Sequence, residues 1–453
     1  MLEKQNKTIN ENGEPSIYWF RNELNSTEHL TVHANILKIR NHLLRQHSVL
    51  DRVKNAFAFK GKQFIPATII LQSMKTVLNF HVAYLVGSNP SYTGNPHAVE
   101  VFSKIYRRGL YSKTDWDILY NLVTYGNAYE YVYKDVDGKI KSKVFRNTDA
   151  YPIYDGNNQY RYFVEYWKDN NEKEHYTIYY PTHVDTYIGT DLIDSSINLT
   201  GLPIHYVAME RDLYDNYGYA LPNDLIPIMD KIENLISKID DAVTTLSLNP
   251  IGVIQGQKVT ENDCINSNVA GAILNVDEGQ DFKWANSEMD YEMIKYELDQ
   301  LYQQFNMCAC IPSSIIGQSN IANVSENTTS LIFQMTENKG KQNINSLLEG
   351  FYKRWDAMRK LLVEPLTDEE YETLNCTFNF TRPIDRVNDI ENMVKQFTIG
   401  ALSKRTFIEQ SPYVSDLSQE ISRLEAEGNS IYADAAEEAE EPQAEERQAE
   451  DNE

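Results

Sequence analysis

The sequence contains few cysteines, and they are not spaced for metal binding. Its 453 residues include four cysteines, of which Cys308 and Cys310 are separated by one residue while Cys264 and Cys376 stand alone. No CxxC pair is present, so a zinc knuckle is not expected. Buried, reduced thiols are the simpler interpretation, and they are typical of a reducing compartment.

Long apolar runs are also missing. The first thirty residues are polar, which argues against a signal peptide, and no stretch approaches the roughly 18 apolar residues that cross a bilayer. The most apolar segment, Ala67–Val86, is interrupted by Gln72, Lys75, Asn79 and His81. This pattern predicts an amphipathic core helix, and we expect no membrane partner.

Motifs of catalysis and of cofactor binding are missing as well. There is no GxxxxGK[ST] loop and no GxSxG turn, so the P-loop and serine-hydrolase signatures are absent. His29 and His33 have a spacing that can place two imidazoles on one metal, but Leu30 stands where an HExxH motif needs glutamate. The acidic run Asp368–Glu370 is better explained as a solvated turn after Pro365 than as a magnesium site. We predict no enzymatic activity, no cofactor and no metal.

Positive charge is scarce. The chain carries 42 Lys and Arg against 66 Asp and Glu, a net charge of −24, whereas proteins that grip duplex DNA present a basic footprint. Such a chain can still surround DNA without holding it. The last 21 residues, Ala433–Glu453, contain ten acidic residues and one arginine. They cannot bury a core and are predicted to be disordered.

What is present is a folded chain with alternating helical and strand regions. Hydrophobic residues make up 42% of the sequence and aromatics 11%, enough for two or more modules. The periodicity predicts helices over about 28–45, 66–86, 96–106 and 114–125. From Gly126 the period changes to two, and Asp137-Gly138 marks a hairpin turn. Strand-like runs at 141–145, 160–167, 175–180 and 204–207 complete a tyrosine-rich antiparallel sheet.

Two helices with heptad spacing follow, over 222–247 and about 287–307. Their apolar residues alternate in steps of three and four, a period of about 3.5 residues. A plain two-helix hairpin needs only a short loop, yet strand-like runs at 251–254, 271–276 and 282–284 lie between these helices. The apolar positions are Leu225, Met229, Ile232, Ile236, Ile239, Val243 and Leu246 in the first helix and Tyr291, Ile294, Leu298, Leu301 and Phe305 in the second.

The remaining elements are a loop, a long helix and a helical C-terminal region. Residues 311–325 are rich in small polar side chains, as is typical of a loop. A long helix then begins at Asn327 or Thr328, with Gly340 and Gly350 as candidate bend positions. Residues 376–427 predict a strand at 377–381 and three short helices, starting near Asp385, Lys404 and Ser415. By pattern alone this region is a small helical cap.

The order of the residues in this C-terminal region is more specific than its pattern. Pro383 before an Asp-rich helix, GALSKRTF at 400–407, PYVSD at 412–416 and a Glu-rich helix resemble the C-terminal region of tailed-phage portal proteins, above all the portal family of siphophages of Gram-positive hosts. YLVGSNPSY at 84–92 and YGNAYEY at 125–131 match the same family in the same order. The resemblance covers roughly residues 30–427. The chain departs from the family at Asn89 and over 64–70.

The resemblance implies an α+β, portal-type subunit with an α/β wing, two long stem helices flanking a small β clip, a long helix after a channel loop, and a C-terminal helical crown. The expected divisions are a disordered N-terminus (1–25), wing (26–221), stem helix (222–248), clip (249–286), stem helix (287–310), channel loop (311–327), long helix and wing strand (328–384), crown (385–428) and acidic disordered tail (429–453).

The implied function is a conduit at one capsid vertex through which genomic DNA is packaged and ejected. The resemblance implies a closed ring of about twelve copies that assembles in the host cytoplasm and surrounds double-stranded DNA without sequence specificity. The other implied partners are the terminase large subunit, the major capsid and scaffolding proteins, and the head–tail adaptor. The residues expected to face DNA are Gly317, Gln318, Ser319, Asn320, Asn323 and Ser325; those expected to contact the motor or connector are Glu261, Asn262 and Asp263.

Two alternatives stay open at this point. One is another structural head protein of a phage, such as a minor head or scaffold-like protein. The other is a metal-dependent nucleic-acid enzyme, against which the missing ligand pattern counts. The helix–β–helix layout favours the conduit over another structural head protein.

Overall fold

Two units make up the chain, and each is described in turn. In the computed structural model, the described residues are 19–55, 57–59, 62–211, 216–243, 251–255, 281–285, 290–312, 326–378, 380, 386–409 and 423–424. The first unit comprises residues 1–324 and 329–381, and the second comprises residues 325–328 and 382–453. Residues 1–18 and the predicted acidic tail lie outside the described residues.

The first unit opens with two helices, α1 (Trp19–Leu24) and α2 (Thr27–Leu43). The predicted helix over 28–45 is confirmed as α2. The prediction of disorder over 1–25 is wrong for α1. Its Phe20 is fully buried, with the ring centroid 4.9 Å from Tyr176 and 5.3 Å from Tyr187, so burial of this aromatic side chain orders the helix.

Three further helices follow a 3₁₀ helix (Ser48–Asn55) and a small hairpin of β1 (Phe57–Phe59) and β2 (Lys62–Phe64). The helices are α3 (Ser73–Val86), α4 (Pro96–Gly109) and α5 (Tyr111–Tyr125). The predictions for α4 and α5 are confirmed. The helix predicted from residue 66 begins only at Ser73, because residues 67–71 give alternate backbone N–H groups to side chains of a distant helix.

The tyrosine-rich region forms two antiparallel sheets where one was predicted. The first is three-stranded, in the order β11-β4-β5, and Gly138 forms its hairpin turn at φ +75°. The second is a five-stranded meander from β6 to β10. The strands are β4 (Asn127–Lys134), β5 (Ile140–Val144), β6 (Ala150–Tyr154), β7 (Tyr160–Lys168), β8 (Glu174–Tyr179), β9 (His183–Ile188), β10 (Asp191–Ile197) and β11 (Ile204–Val207).

The predicted helix–β–helix order is present in the described residues. Helix α6 (Pro222–Ala242) precedes β12 (Ile251–Gln255), which pairs antiparallel with β13 (Asp281–Ala285) before α7 (Tyr291–Cys308). The strand predicted at 271–276 lies outside the described residues. Helices α6 and α7 pack side by side.

The long helix predicted after the loop is α8 (Glu326–Arg359), continuous over 34 residues. Its two glycines serve close packing. A Cβ at Gly350 would lie 1.9 Å from the Tyr206 ring, and one at Gly340 would lie 2.6 Å from the Phe380 ring. The main core contains Leu347, Phe351, Trp355 and Met358 of this helix.

The end of the first unit corrects two predictions. The acidic run at Asp368 belongs to helix α9 (Asp368–Glu372), which a Thr367–Glu370 capping box starts, so its carboxylates lie at the positive end of the helix dipole. The strand predicted at 377–381 is instead β14 (Asn375–Thr377), paired with β3 (Ser91–Thr93). Burial of Cys376 opposite Tyr92 sets this register.

The second unit contains helices α10 (Arg386–Thr398) and α11 (Lys404–Glu409). Gly400 sits between them at φ +73°. The Ser403 side chain caps α11 by accepting the Thr406 N–H at 3.2 Å, and the Phe397 and Phe407 rings lie 4.9 Å apart. These are the first two predicted crown helices; of the third, the structure describes residues 423–424.

Candidate functional site

None of the residues predicted to touch DNA or the motor falls within the described part of the chain. The channel-loop residues Gly317, Gln318, Ser319, Asn320, Asn323 and Ser325, and the clip residues Glu261, Asn262 and Asp263, all lie outside it. The structure does describe the supports of both segments. These are the helix pair α6–α7, the residues that follow α7, and the helix α8.

The residues that follow α7, here called the loop base (309–312), are held from two directions. His81 of α3 donates its Nε2–H to the Ala309 carbonyl at 2.7 Å. Thr336 of α8 donates its hydroxyl to the Cys310 carbonyl at 2.7 Å. Cys310 has a φ of +52°, a left-handed conformation that few residues other than glycine adopt. Two side chains therefore hold the chain in a sharp turn where it leaves α7.

His81 is suited to a permanent role as donor. The side chain is buried, and burial lowers its pKa to about 4. The imidazole is therefore neutral at physiological pH, and the Ala309 carbonyl fixes the proton on Nε2. Sequence reasoning named His81 only as an interruption of an apolar segment. Its position on the apolar face of a predicted helix was the available signal.

The helix pair has a gradient of burial along its apolar stripes. Leu225, Met229 and Ile232 of α6 are buried, whereas Val243, directly after its last residue, is 37% exposed. In α7, Phe305 is buried, whereas Tyr291 is 67% exposed. Lys231 pairs with Glu297 across the helices at 3.4 Å. The rest of the first unit thus covers the apolar stripes at one end of the helix pair. The stripes are exposed at the other end, which leads to β12 and β13.

A second face of α6 holds an extended segment through what we call the α6 ladder. Asp241, Ser237 and Glu233 accept the backbone N–H groups of residues 67, 69 and 71 at 2.7, 2.9 and 2.8 Å. Side chains four apart share a helix face, and alternate N–H groups of an extended chain point one way. Side chains of α6 therefore accept the backbone N–H groups that a neighbouring β-strand would otherwise accept.

The ladder ends in a buried pair of titratable groups. Glu233 contacts His47 Nδ1 at 2.8 Å, and both side chains are fully buried. His47 Nε2 lies 2.9 Å from the His42 carbonyl, so both ring nitrogens face oxygen acceptors. Burial raises the pKa of Glu233, while burial and the neighbouring His47 lower that of His42 to about 4.

Helix α8 is held by an ionic group, here called the Arg354 cluster. Arg354 is fully buried and donates to Asp115 of α5 at 2.6 Å and to Glu130 of β4 at 2.9 Å. Tyr206 of β11 donates to Glu130 at 2.5 Å. Burial raises the pKa of Asp115 to about 6. Sequence reasoning missed this cluster, because its members are 15 to more than 200 positions apart.

Neither a cluster of metal ligands nor a membrane-spanning helix is found in the described ranges. No three His, Cys, Asp or Glu side chains there could hold a metal ion. His29 faces the Tyr217 hydroxyl at 3.1 Å and His33 the Ala150 carbonyl at 3.3 Å, so the two histidines have separate partners. Of the helices described, none is long and apolar enough to cross a membrane.

Comparison with known proteins identifies a family whose model matches most of the chain. A family model described as phage portal protein, SPP1 Gp6-like, matches residues 26–434. No curated protein matches the chain significantly. Among solved structures, the neck of an empty gene transfer agent particle computed with C6 symmetry is similar, with 12% identity, a TM-score of 0.46, and coverage of 77% of this chain and 88% of that chain. The neck of a native particle computed with C12 symmetry has 13% identity, a TM-score of 0.42, and coverage of 75% and 88%.

Proposed function

This chain belongs to the SPP1 Gp6-like phage portal protein family, and from that premise we propose that copies of it form a closed ring through which double-stranded DNA passes. The match covers residues 26–434, and a portal protein is a structural component of the virion. About twelve copies, as the resemblance implies, would close the ring through one repeated heterologous contact. Assembly in the host cytoplasm is part of the proposal.

The observation that carries the proposal is the uncovered end of the α6–α7 pair. Val243, Met293 and Tyr296 are 37%, 67% and 67% exposed, although they belong to, or lie beside, heptad-spaced stripes. Exposed apolar side chains that are contiguous mark interaction surfaces. A neighbouring copy that packs its own helix pair against this end would remove them from water.

The loop base is held in place by two hydrogen bonds, and this supports a role in the channel for the loop that follows it. DNA must slide past such a loop in one direction during packaging and in the other during ejection. A loop in that position needs rigid supports and weak contacts with phosphate. His81 and Thr336 supply the support, and the neutral Gln318, Asn320 and Asn323 would supply weak hydrogen bonding.

The remaining partners in this proposal are those that the resemblance implies. The clip (249–286) would contact the terminase large subunit and later the head–tail adaptor, since it lies at the end of two long helices. The major capsid and scaffolding proteins would surround the ring at one capsid vertex. The chain would carry out no catalysis itself.

Electron microscopy of purified protein, with native mass measurement, tests the ring. We expect closed rings of about a dozen subunits. Tyr296→Ser should abolish or weaken ring formation, whereas Lys295→Ser, at the neighbouring exposed position, should leave it intact. A wild-type chain that stays a folded monomer at micromolar concentration would refute the proposal.

A salt titration of DNA binding tests the channel loop. Asn320→Lys should steepen the slope of log affinity against log salt by about 0.9 for each new phosphate contact and should stall packaging. Asn323→Lys should act in the same way. Asn320→Gln, which stays neutral, is the matched control. Assembled lysine-variant rings with unchanged affinity and normal packaging would place the loop away from DNA.

Charge reversal tests the clip. Glu261→Lys together with Asp263→Lys should weaken binding of the terminase large subunit but leave rings intact. Asn262→Gln serves as the neutral control in the same turn. Normal motor binding and normal packaging by the charge-reversed ring would move the motor interface elsewhere.

A further inference from the structure

A polar cleft of about 500 Å³ lies between α2, α5 and the connection from β5 to β6. It is separate from the helix pair and from the loop base. Its walls combine both signs of charge with amide and phenol groups. The residues that line it include Arg40, Asp117, Tyr120, Tyr125, Arg146 and Asn147.

Asn147 is the most informative group in this cleft. The side chain is only 3% exposed, and neither Nδ2 nor Oδ1 has a hydrogen-bond partner among the described residues. Burying an amide in this way is unfavourable, and most buried polar groups are paired. A ligand that completes the site must accept one hydrogen bond and donate another. A peptide amide does both.

The charged groups further limit the kinds of ligand that fit this cleft. Arg40 and Arg146 are exposed at the cleft, and their guanidinium groups fit carboxylates in a two-pronged geometry. Burial raises the pKa of Asp117, so its carboxylate gains from a nearby N–H donor. Phosphate offers no donor for Asn147 Oδ1, whereas a peptide backbone offers both a donor and an acceptor. The two arginines and the buried amide together therefore favour an acidic peptide over a phosphate group.

We propose that this cleft binds an extended acidic peptide segment of a partner protein. A backbone amide of the peptide pairs with Asn147, and its carboxylates pair with Arg40 and Arg146. The rings of Tyr120 and Tyr125 form the wall along which the peptide lies. The proposal is independent of ring formation and of the channel loop.

Fluorescence anisotropy with the full chain tests the site. The probe is a short fluorescein-labelled peptide of alternating glutamate and alanine, and its comparison peptide carries glutamine in place of glutamate. We expect saturable binding of the glutamate peptide and at least about tenfold weaker binding of the glutamine peptide, since each charged hydrogen bond lost costs about one decade of affinity. Arg40→Gln and Arg146→Gln should each weaken binding about tenfold.

The controls separate this cleft from the rest of the surface. Arg161→Gln removes an exposed arginine that pairs with Asp155 on another hairpin, and it should leave affinity unchanged. Asn147→Asp keeps the side-chain shape but removes the amide donor and adds a negative charge, so it should abolish binding, with thermal melting confirming the fold. If Asn147→Asp misfolds, the Arg40→Gln and Arg146→Gln variants test the proposal without it.

Three outcomes would overturn the proposal. The first is no binding of the glutamate peptide up to its solubility limit. The second is binding that neither arginine substitution weakens. The third is displacement of the peptide by a short DNA duplex whose own binding requires both arginines, which would make the cleft a phosphate site.

Discussion

The two long helices α6 and α8 are attached to the rest of the first unit in opposite ways. Helix α8 is attached through the Arg354 cluster, in which side chains from four elements contact one another. Helix α6 is attached through the α6 ladder, in which its side chains accept backbone N–H groups of residues 67, 69 and 71. One attachment depends on a buried cation, and the other depends on backbone N–H donors.

The difference has an energetic consequence. Removal of one partner from a buried ion group leaves an uncompensated charge, which costs several kcal/mol. Removal of one bond from a ladder costs about 1 kcal/mol, or somewhat more when a buried donor is left unpaired. The Arg354 cluster should therefore be the more fragile attachment, although it is the more deeply buried.

Replacement of Arg354 should have the largest effect. Arg354→Met keeps much of the side-chain volume but leaves Asp115 and Glu130 buried without their cation. We expect a loss of about 3–5 kcal/mol in the free energy of unfolding, measured by urea denaturation. Arg359→Met is the control, since Arg359 pairs with the exposed Asp368 and should cost under about 1 kcal/mol. Equal losses of unfolding free energy in the two variants would contradict the expectation that the Arg354 cluster is the more fragile attachment.

The next effect is a dependence on pH that belongs to the Arg354 cluster. The pKa of Asp115 is about 6 in the folded chain against an ordinary 3.8, so the folded state holds this proton more tightly. This contribution is full below about pH 4 and is lost as pH rises through 6, with a span of about 3 kcal/mol. The stability of wild type minus that of Asp115→Asn should therefore fall between pH 4 and pH 7. A constant or rising difference would contradict the assignment.

A smaller loss is expected from the α6 ladder. Ser237→Ala removes the acceptor of the Ile69 N–H, and Ser237 is buried. We expect a loss of about 1–2 kcal/mol in unfolding free energy. Lys238→Ala, one position further on the exposed side of the same helix, should change it by less than about 0.5 kcal/mol. A Ser237→Ala variant as stable as wild type would show that the ladder contributes geometry but little energy.

The smallest effect concerns α8 where it contacts the loop base. Thr336→Val keeps the shape and removes the donor to the Cys310 carbonyl; this bond also joins a side chain to the backbone, but here the side chain donates. A loss of about 0.5–1.5 kcal/mol is expected, with faster amide hydrogen exchange at residues 309–312. Thr398→Val is the control. The Thr398 hydroxyl donates to the Val394 carbonyl on an exposed face, so its removal should leave the free energy of unfolding nearly unchanged. Unchanged exchange at the loop base would mean that His81 holds it alone.

Local patterns predicted much of the fold. The heptad spacing of α6 and α7, the Asp137-Gly138 turn between β4 and β5, and the start of α11 after Ser403 follow from neighbours within a few residues, and all are confirmed. The strands β6, β9 and β10 were not predicted, and the start of α3 and the position of β14 were wrong. For α3 and β14 the deciding partner lies far along the chain, as Tyr92 does for Cys376, whereas β6, β9 and β10 pair with strands next to them in sequence.

The sequence by itself determined the family, the alternation of helix and strand and the surplus of negative charge, because those depend on residue order and composition. Only the tertiary structure decided that His81 and Thr336 hold the loop base, that Gly350 admits the Tyr206 ring, and that Asp115, Glu130 and Arg354 share one buried site. These pairings join residues from 26 to more than 200 positions apart. Sequence periodicity reports which face of an element is apolar, but a polar residue on that face finds its partner only when the elements pack.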